Sequence, residues 1–258
     1  MFNWSGLTLL LYIIMRMSGF VFFSPIFGRN GIPAYFRAGL VLVLSLSAYA
    51  AASELEAVTP PVTLLEFSVR LVLEMGVGFV LSVVTRLFFY IPEQAGEILD
   101  TQMGMSMARS YDPGSQNNVT VTANLLNMLM LLLFFAANGH LTLIRMAITS
   151  GEIVPFGSAA LGEAAANRVV ELFSECVLLA VKLGLPVLGA ELLGQVGMGV
   201  LMKAIPQINV FAINIELKVI VGMVMLLLLI QPMSDFLLET ESIMLGAARD
   251  ILPLLAGN

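Results

Sequence analysis

Charged side chains set inside apolar sequence are the groups most able to do chemistry in this chain. Arg16, Glu66, Arg70, Glu74, Arg86, Glu175, Lys182, Glu191, Glu216 and Lys218 are all of this kind. A charge at the centre of a bilayer costs about 2.5–3.5 kcal/mol on insertion scales, so such groups pair, face water or are covered by protein. Glu66, Arg70 and Glu74 stand at i, i+4 and i+8, on one helix face where Arg70 can pair with either carboxylate. That pairing would either neutralise charge within the chain or bond it to another subunit, and Arg16, Arg86, Lys182, Glu216 and Lys218 admit the same two roles. Glu93, Glu97 and Asp100, at i, i+4 and i+7, form a second acidic face. As a solvated face or as the lining of a channel entrance, it belongs in water on either reading.

His140 is the one histidine. It could relay a proton, since ionisable groups within membranes mark such paths. No carboxylate lies close to it in sequence, and Asn138-Gly139-His140 also fits a helix end or turn. Cys176, the one cysteine, lies among Leu172, Phe173, Val177, Leu178 and Leu179 and reads as a packed core thiol. One Cys and one His supply neither an internal disulfide nor the ligand set of a structural metal. No phosphate-cradling or dinucleotide-binding glycine pattern occurs. Redox and zinc chemistry are therefore not expected, no nucleotide or bound cofactor is expected, and any energy input would be coupled by other proteins.

The elements that must position these groups follow from composition. The 258 residues are 59% hydrophobic and 12% charged, with a mean hydropathy of +0.94, which places the chain in or against a bilayer. Such a length holds about five to seven apolar helices, so the predicted fold is all-α, a set of membrane-associated helical hairpins. A net charge of −6, with 12 Lys plus Arg, leaves no basic patch to neutralise a phosphate backbone, and nucleic acid is not an expected partner. The first apolar run has no Lys or Arg before it, which argues against a cleaved signal peptide.

Apolar helices are expected at 7–27, 39–52, 64–91, 119–148, 169–193 and 212–238, with Pro60-Pro61 as the first clear punctuation. Ser150–Asn167, rich in Gly, Ala, Ser and Glu, reads as a linker and divides the chain into parts 1–160 and 161–258. The second part reads as a helical hairpin with an amphipathic tail carrying Glu239, Glu241, Arg249 and Asp250.

The most informative break in hydrophobicity runs from Met103 to Asn118. Irregular backbone at membrane depth is tolerated only when buried in protein or lining a wet cavity, so the break predicts a flexible plug in a pore or gate. Met103, Met105 and Met107 offer unbranched thioethers that could seal against irregular surfaces, and Gly104 and Gly114 allow backbone geometries other residues resist. Arg109, Tyr111, Asp112 and Asn117 supply its polar character. The plainer alternatives are methionines filling core gaps and Asp112-Pro113-Gly114 making a simple turn.

One segment carries a specific resemblance. Pro206, Gln207, Asn209 and Phe211, in Pro-Gln-Ile-Asn-Val-Phe after a Gly-rich apolar helix, resemble a motif of the FliR/SctT family of type III secretion export-gate proteins. The resemblance extends over nearly the whole chain through Arg16, Pro25, Pro33, Arg37, Glu74, Gly78, Gly96, Gln102, Gly104, Asp112-Pro113, Asn138-Gly139-His140 and Pro186, in order. It implies a non-enzymatic subunit assembled with FliP and FliQ and adjoining FlhB in the bacterial inner membrane, at the flagellar basal body. Unfolded flagellar proteins would pass through its centre. It further implies a FliP-like N-terminal part fused to a FliQ-like C-terminal hairpin, a plug loop at 103–118, and helices lying largely above the membrane plane. Charges in apolar helices would then be covered by interfaces rather than lipid.

Two other functions fit the residues. Pro186, Pro206 and Pro232 could break helices to make midplane sites in a secondary transporter of a small solute, although no inverted repeat is evident. A passive membrane scaffold is the third reading. Arg29 and Arg37 on the first connection, against Glu54 and Glu56 on the next, favour a cytoplasmic first connection under the positive-inside rule, which holds only for true spanning hairpins.

Overall fold

Long apolar runs with few breakers give long helices. The computed structural model describes residues 4–29, 31–52, 61–106, 109–112, 117–204 and 210–256. In chain order they form α1 (Trp4–Phe23), α2 (Ala34–Ala52), α3 (Leu64–Gln102), strands β1 (Arg109–Asp112) and β2 (Asn117–Thr120), then α4 (Val121–Ala136), α5 (Gly139–Ile153), α6 (Glu163–Ala204) and α7 (Val210–Asp250), closed by a 3-10 turn over Leu252–Leu255. The fold class is all-α, with β1 and β2 the one strand pair among the described residues. Five helices are long and apolar enough to cross a membrane, and α4 with α5 passes the same test as a broken pair.

α3, α6 and α7 hold 39, 42 and 41 residues. At 1.5 Å per residue each is about 60 Å long, twice the roughly 30 Å hydrocarbon core of a bilayer. Polar residues along them therefore need not lie at membrane depth. Each also contains a proline, Pro92, Pro186 and Pro232 respectively, without ending there.

The expected elements differ in extent, and α3, expected over 64–91, continues through Pro92 to Gln102. The apolar helix expected over 119–148, with an end near Asn138-Gly139-His140 or slightly beyond, ends at that motif and a second helix follows, because Asn138 adopts left-handed φ 62°, ψ 23°, a conformation that ends one helix before Gly139 starts the next. The expected amphipathic tail is continuous with α7, whose Met244, Ala247 and Ala248 are buried, with Ile251, Leu252 and Leu255 after them, while Glu239, Arg249 and Asp250 are exposed.

The chain forms two compact units. The first comprises Met1–Phe88, Asn138–Phe173 and Ser242–Asn258, and the second Phe89–Ala137 and Ser174–Glu241. This partition by compactness interleaves along the sequence, unlike the compositional division near residue 160.

In the first unit α1 packs on α2, α2 on α5, and α1 on the N-terminal part of α3. The α1–α3 approach is backbone to backbone. A Cβ at Gly78 would strike the Arg16 carbonyl, and one at Gly19 the Met75 carbonyl, so both positions exclude side chains. Ser82 Oγ donates to the Phe20 carbonyl at 2.7 Å across the same crossing. Tyr12, Ile13, Met17, Phe20, Val77, Val84 and Phe88 fill the core around it. The C-terminus closes on this unit through an Ala159–Ala256 bridge and a bond from Ala160 N–H to the Leu255 carbonyl at 3.0 Å.

In the second unit the end of α3 packs on α4. Gly96 faces the Ala123 backbone with no room for a Cβ, and the Phe89 and Phe134 rings meet edge to face at 5.4 Å. The part of α6 from Ser174 on and the part of α7 up to Glu241 complete it.

Candidate functional site: a strand hairpin and two buried carboxylates

α3 ends by a specific device. Gly104 takes φ +78°, its N–H bonds the Thr101 carbonyl at 3.2 Å, and the Met105 N–H bonds the Asp100 carbonyl at 2.7 Å. These two bonds around a left-handed residue form a Schellman cap, which satisfies the last carbonyls of the helix and turns the chain out of its axis. β1 and β2 then pair antiparallel, Arg109 with Thr120, Ser110 with Val119, Tyr111 with Asn118 and Asp112 with Asn117. The hydrophobicity break is therefore not irregular throughout. Its two polar flanks satisfy each other's backbone groups, the alternative to burial or water that the sequence reading did not weigh. Met107, Pro113 and Gly114 lie outside the described residues, while Arg109, Tyr111, Asp112 and Asn117 are placed by their backbone pairing.

Asp100 sits one turn before the cap and is fully buried. Its Oδ2 accepts the Thr122 N–H at 2.8 Å and its Oδ1 accepts the Thr122 hydroxyl at 2.6 Å. Thr122 is the second residue of α4, and the residue at that helix's own cap position, Thr120, makes no side-chain cap bond. Asp100 thus supplies from α3 the cap that α4 lacks, with its charge against the positive end of the helix dipole. This corrects the expectation that Glu93, Glu97 and Asp100 form one face in water, since Glu93 and Glu97 are half-buried and Asp100 is sequestered. A separation of 22 residues gave sequence reasoning no spacing to read.

The other buried carboxylate is Glu74. Arg16 Nε donates to Glu74 Oε2 at 2.7 Å, and Arg16 Nη2 lies 2.7 Å from the same oxygen. The second oxygen, Oε1, accepts the Gly157 N–H at 2.7 Å. Arg16 Nη1 donates to Ser150 Oγ at 3.1 Å and to the Val154 carbonyl at 2.9 Å, and the guanidinium lies 4.3 Å from the centre of the Phe156 ring. Arg16 is 1% and Glu74 0% exposed, so α1, α3, the end of α5 and the following turn converge on one dry ion pair. A buried pair persists only when its remaining donors and acceptors are also bonded, and here both groups are held by several partners. Arg70 pairs with Glu66 at 2.5 Å instead, and both are partly exposed.

The remaining candidates are dispersed. Arg86, Lys182 and Glu216 are exposed and Lys218 is half-buried. Glu191, 2% exposed, lies beside Gly222 of α7, whose missing Cβ leaves space filled by the Met103 thioether. Met103 is fully buried there, so this methionine packs against a helix rather than presenting itself at the strands. Cys176 is a free, buried thiol. His140 is half-buried in the first turn of α5. Phe211 is the second residue of α7, while Pro206, Gln207 and Asn209 lie outside the described residues.

Membrane-length helices, buried charges neutralised where helices pack, and a strand hairpin carried between two helices define an all-α membrane protein. Comparison with known proteins is more specific. The family model described as bacterial export proteins, family 1, matches residues 7–242, and the chain belongs to that family. The flagellar biosynthetic protein FliR of Escherichia coli (strain K12) is 30% identical to it over 254 residues, covering 97% of this chain and 96% of the relative. FliR of Bacillus subtilis (strain 168) is 23% identical over 248 residues, with 95% and 94% covered. The Yop proteins translocation protein T of Yersinia pestis is 25% identical over 223 residues, with 85% and 84% covered.

Proposed function

We propose that this chain is a non-enzymatic core subunit of the flagellar type III protein export gate. The observation that carries the reading is similarity from end to end with the E. coli flagellar protein, over 97% of this chain. In this proposal it assembles with FliP and FliQ homologues and adjoins an FlhB homologue in the bacterial inner membrane, within the flagellar basal body. Residues 1–160 are the FliP-like part and 161–258 the FliQ-like hairpin with its tail. Unfolded flagellar proteins pass through the assembled channel, and the span around Met103–Asn118 closes it at rest. Lipid and partner subunits share the cover of the apolar helix faces, on which Leu193, Val196, Leu227 and Leu228 are exposed.

The composition of the intact complex tests this. The tagged chain, purified in mild detergent from bacterial membranes that express its native neighbours, should come out in a large assembly with FliP and FliQ homologues. A monomer or homodimer that catalyses saturable flux of a small solute would replace the export gate with a transporter.

A further inference from the structure

We infer that Asp100 is the positioning residue of the strand hairpin, a clamp that holds both of its feet. The departing foot is tied by the Asp100 carbonyl, which accepts the Met105 N–H at 2.7 Å. The returning foot is tied by the Asp100 carboxylate, which takes the Thr122 N–H at 2.8 Å and the Thr122 hydroxyl at 2.6 Å. One residue therefore fixes the chain on each side of β1 and β2.

Neighbouring features make this arrangement stiff. Gly96 lies one helical turn before Asp100, and its lack of a Cβ lets the α4 backbone at Thr122 and Ala123 come up against α3. Gly104 supplies the left-handed turn that brings Met105 back to the Asp100 carbonyl. The Met103 side chain, between them in sequence, fills the space at Gly222 of α7. The carboxylate is fully buried, so water does not compete for its two bonds. The feet of the hairpin cannot spread while these bonds hold. Thr120, directly before α4, makes no cap bond of its own, so the returning foot has no substitute within its own helix end.

The clamp stands on these contacts alone, while its consequence for closing a channel rests on the function proposed above. The test is hydrogen exchange on the full chain in its native complex, comparing wild type with Asp100→Ala and Asp100→Asn. Loss of the carboxylate should accelerate exchange at Thr122 and through β2 on the order of tenfold in Asp100→Ala, leaving α1 unchanged and Met105 nearly so, because its N–H bonds the backbone carbonyl that alanine keeps. Asp100→Asn, which keeps one acceptor oxygen and the side-chain shape, should fall between the two and serves alone if the alanine variant does not assemble. Unchanged exchange at Thr122 would overturn the clamp, as would acceleration spread evenly over α3 and α4. Ion conductance, read in parallel, should rise in Asp100→Ala and rise no further when residues 110–118 are also deleted. Faster exchange at Thr122 with no conductance from the deletion itself would uphold the clamp and remove the plug reading.

Discussion

Glu74 binds Arg16 through one carboxylate oxygen and the Gly157 N–H through the other, so a single side chain of α3 holds both α1 and the turn that follows α5. With Arg16 1% and Glu74 0% exposed, removing either partner strands the other as a buried, uncompensated charge. Arg16→Met or Glu74→Gln should each destabilise the chain by about 3–5 kcal/mol, whereas the double change to Met at both positions should cost less than either. Thermal unfolding of the three variants in detergent checks the order. A double variant weaker than both singles would refute it.

Gly222→Ala should be harmful out of proportion to one methyl group. The added Cβ would land on the Met103 thioether, and a well-filled site charges about 1–3 kcal/mol for such crowding. Shortening the obstacle should relieve it, so Met103→Ala combined with Gly222→Ala should be more stable than the sum of the two single losses. Midpoints of thermal unfolding read this non-additivity directly.

The α1–α3 crossing should be less forgiving. At Gly78 the obstacle is the Arg16 carbonyl, which is backbone and cannot rotate away. Gly78→Ala is expected to reach or exceed the upper end of the roughly 1–3 kcal/mol range for overpacking. Its yield in membranes should fall well below that of Gly189→Ala on α6, where a Cβ meets nothing.

At Gly104 the constraint is conformational rather than spatial, since a Cβ there meets open space while φ is +78°. Gly104→Ala should cost about 1–2 kcal/mol, and Gly104→Asn less, because Asn tolerates the left-handed region. Equal stability of the two variants would show that α3 does not need its cap.

Deleting residues 110–118 should raise ion conductance through an assembled gate while leaving its subunit composition intact. Conductance measured on reconstituted complexes checks it, and an unchanged value would end the plug assignment.

Much of this architecture could be read from local sequence. Apolar runs announce the helices, but the end of α3 expected near residue 91 falls short of its actual end at Gln102, where Gly104 is a terminator whose conformation its residue type permits. Partners distant in the chain could not be read in the same way. Spacing offered Arg70 to Glu74, but Arg70 stays with Glu66 and Glu74 goes to Arg16, 58 residues away. Burial decides this, since the Glu66–Arg70 end of α3 is partly exposed while Glu74 faces the α1 crossing. Asp100 looked like part of a wet acidic face because its neighbours at the same spacing are charged, and only the arrival of Thr122 explains its burial. The strands escaped notice for a different reason. Four residues each, and Asn-Asn-Val-Thr and Arg-Ser-Tyr-Asp in composition, they are too short to show an alternating pattern.

Cys176 has a practical consequence. It is the chain's only sulfhydryl, and it is shielded at 5% exposure. Maleimide reagents should leave the native sequence nearly unmarked, so a cysteine installed at an accessible position would report alone. Spin labels or fluorophores could then follow one chosen position in the purified chain with no prior removal of its native thiol.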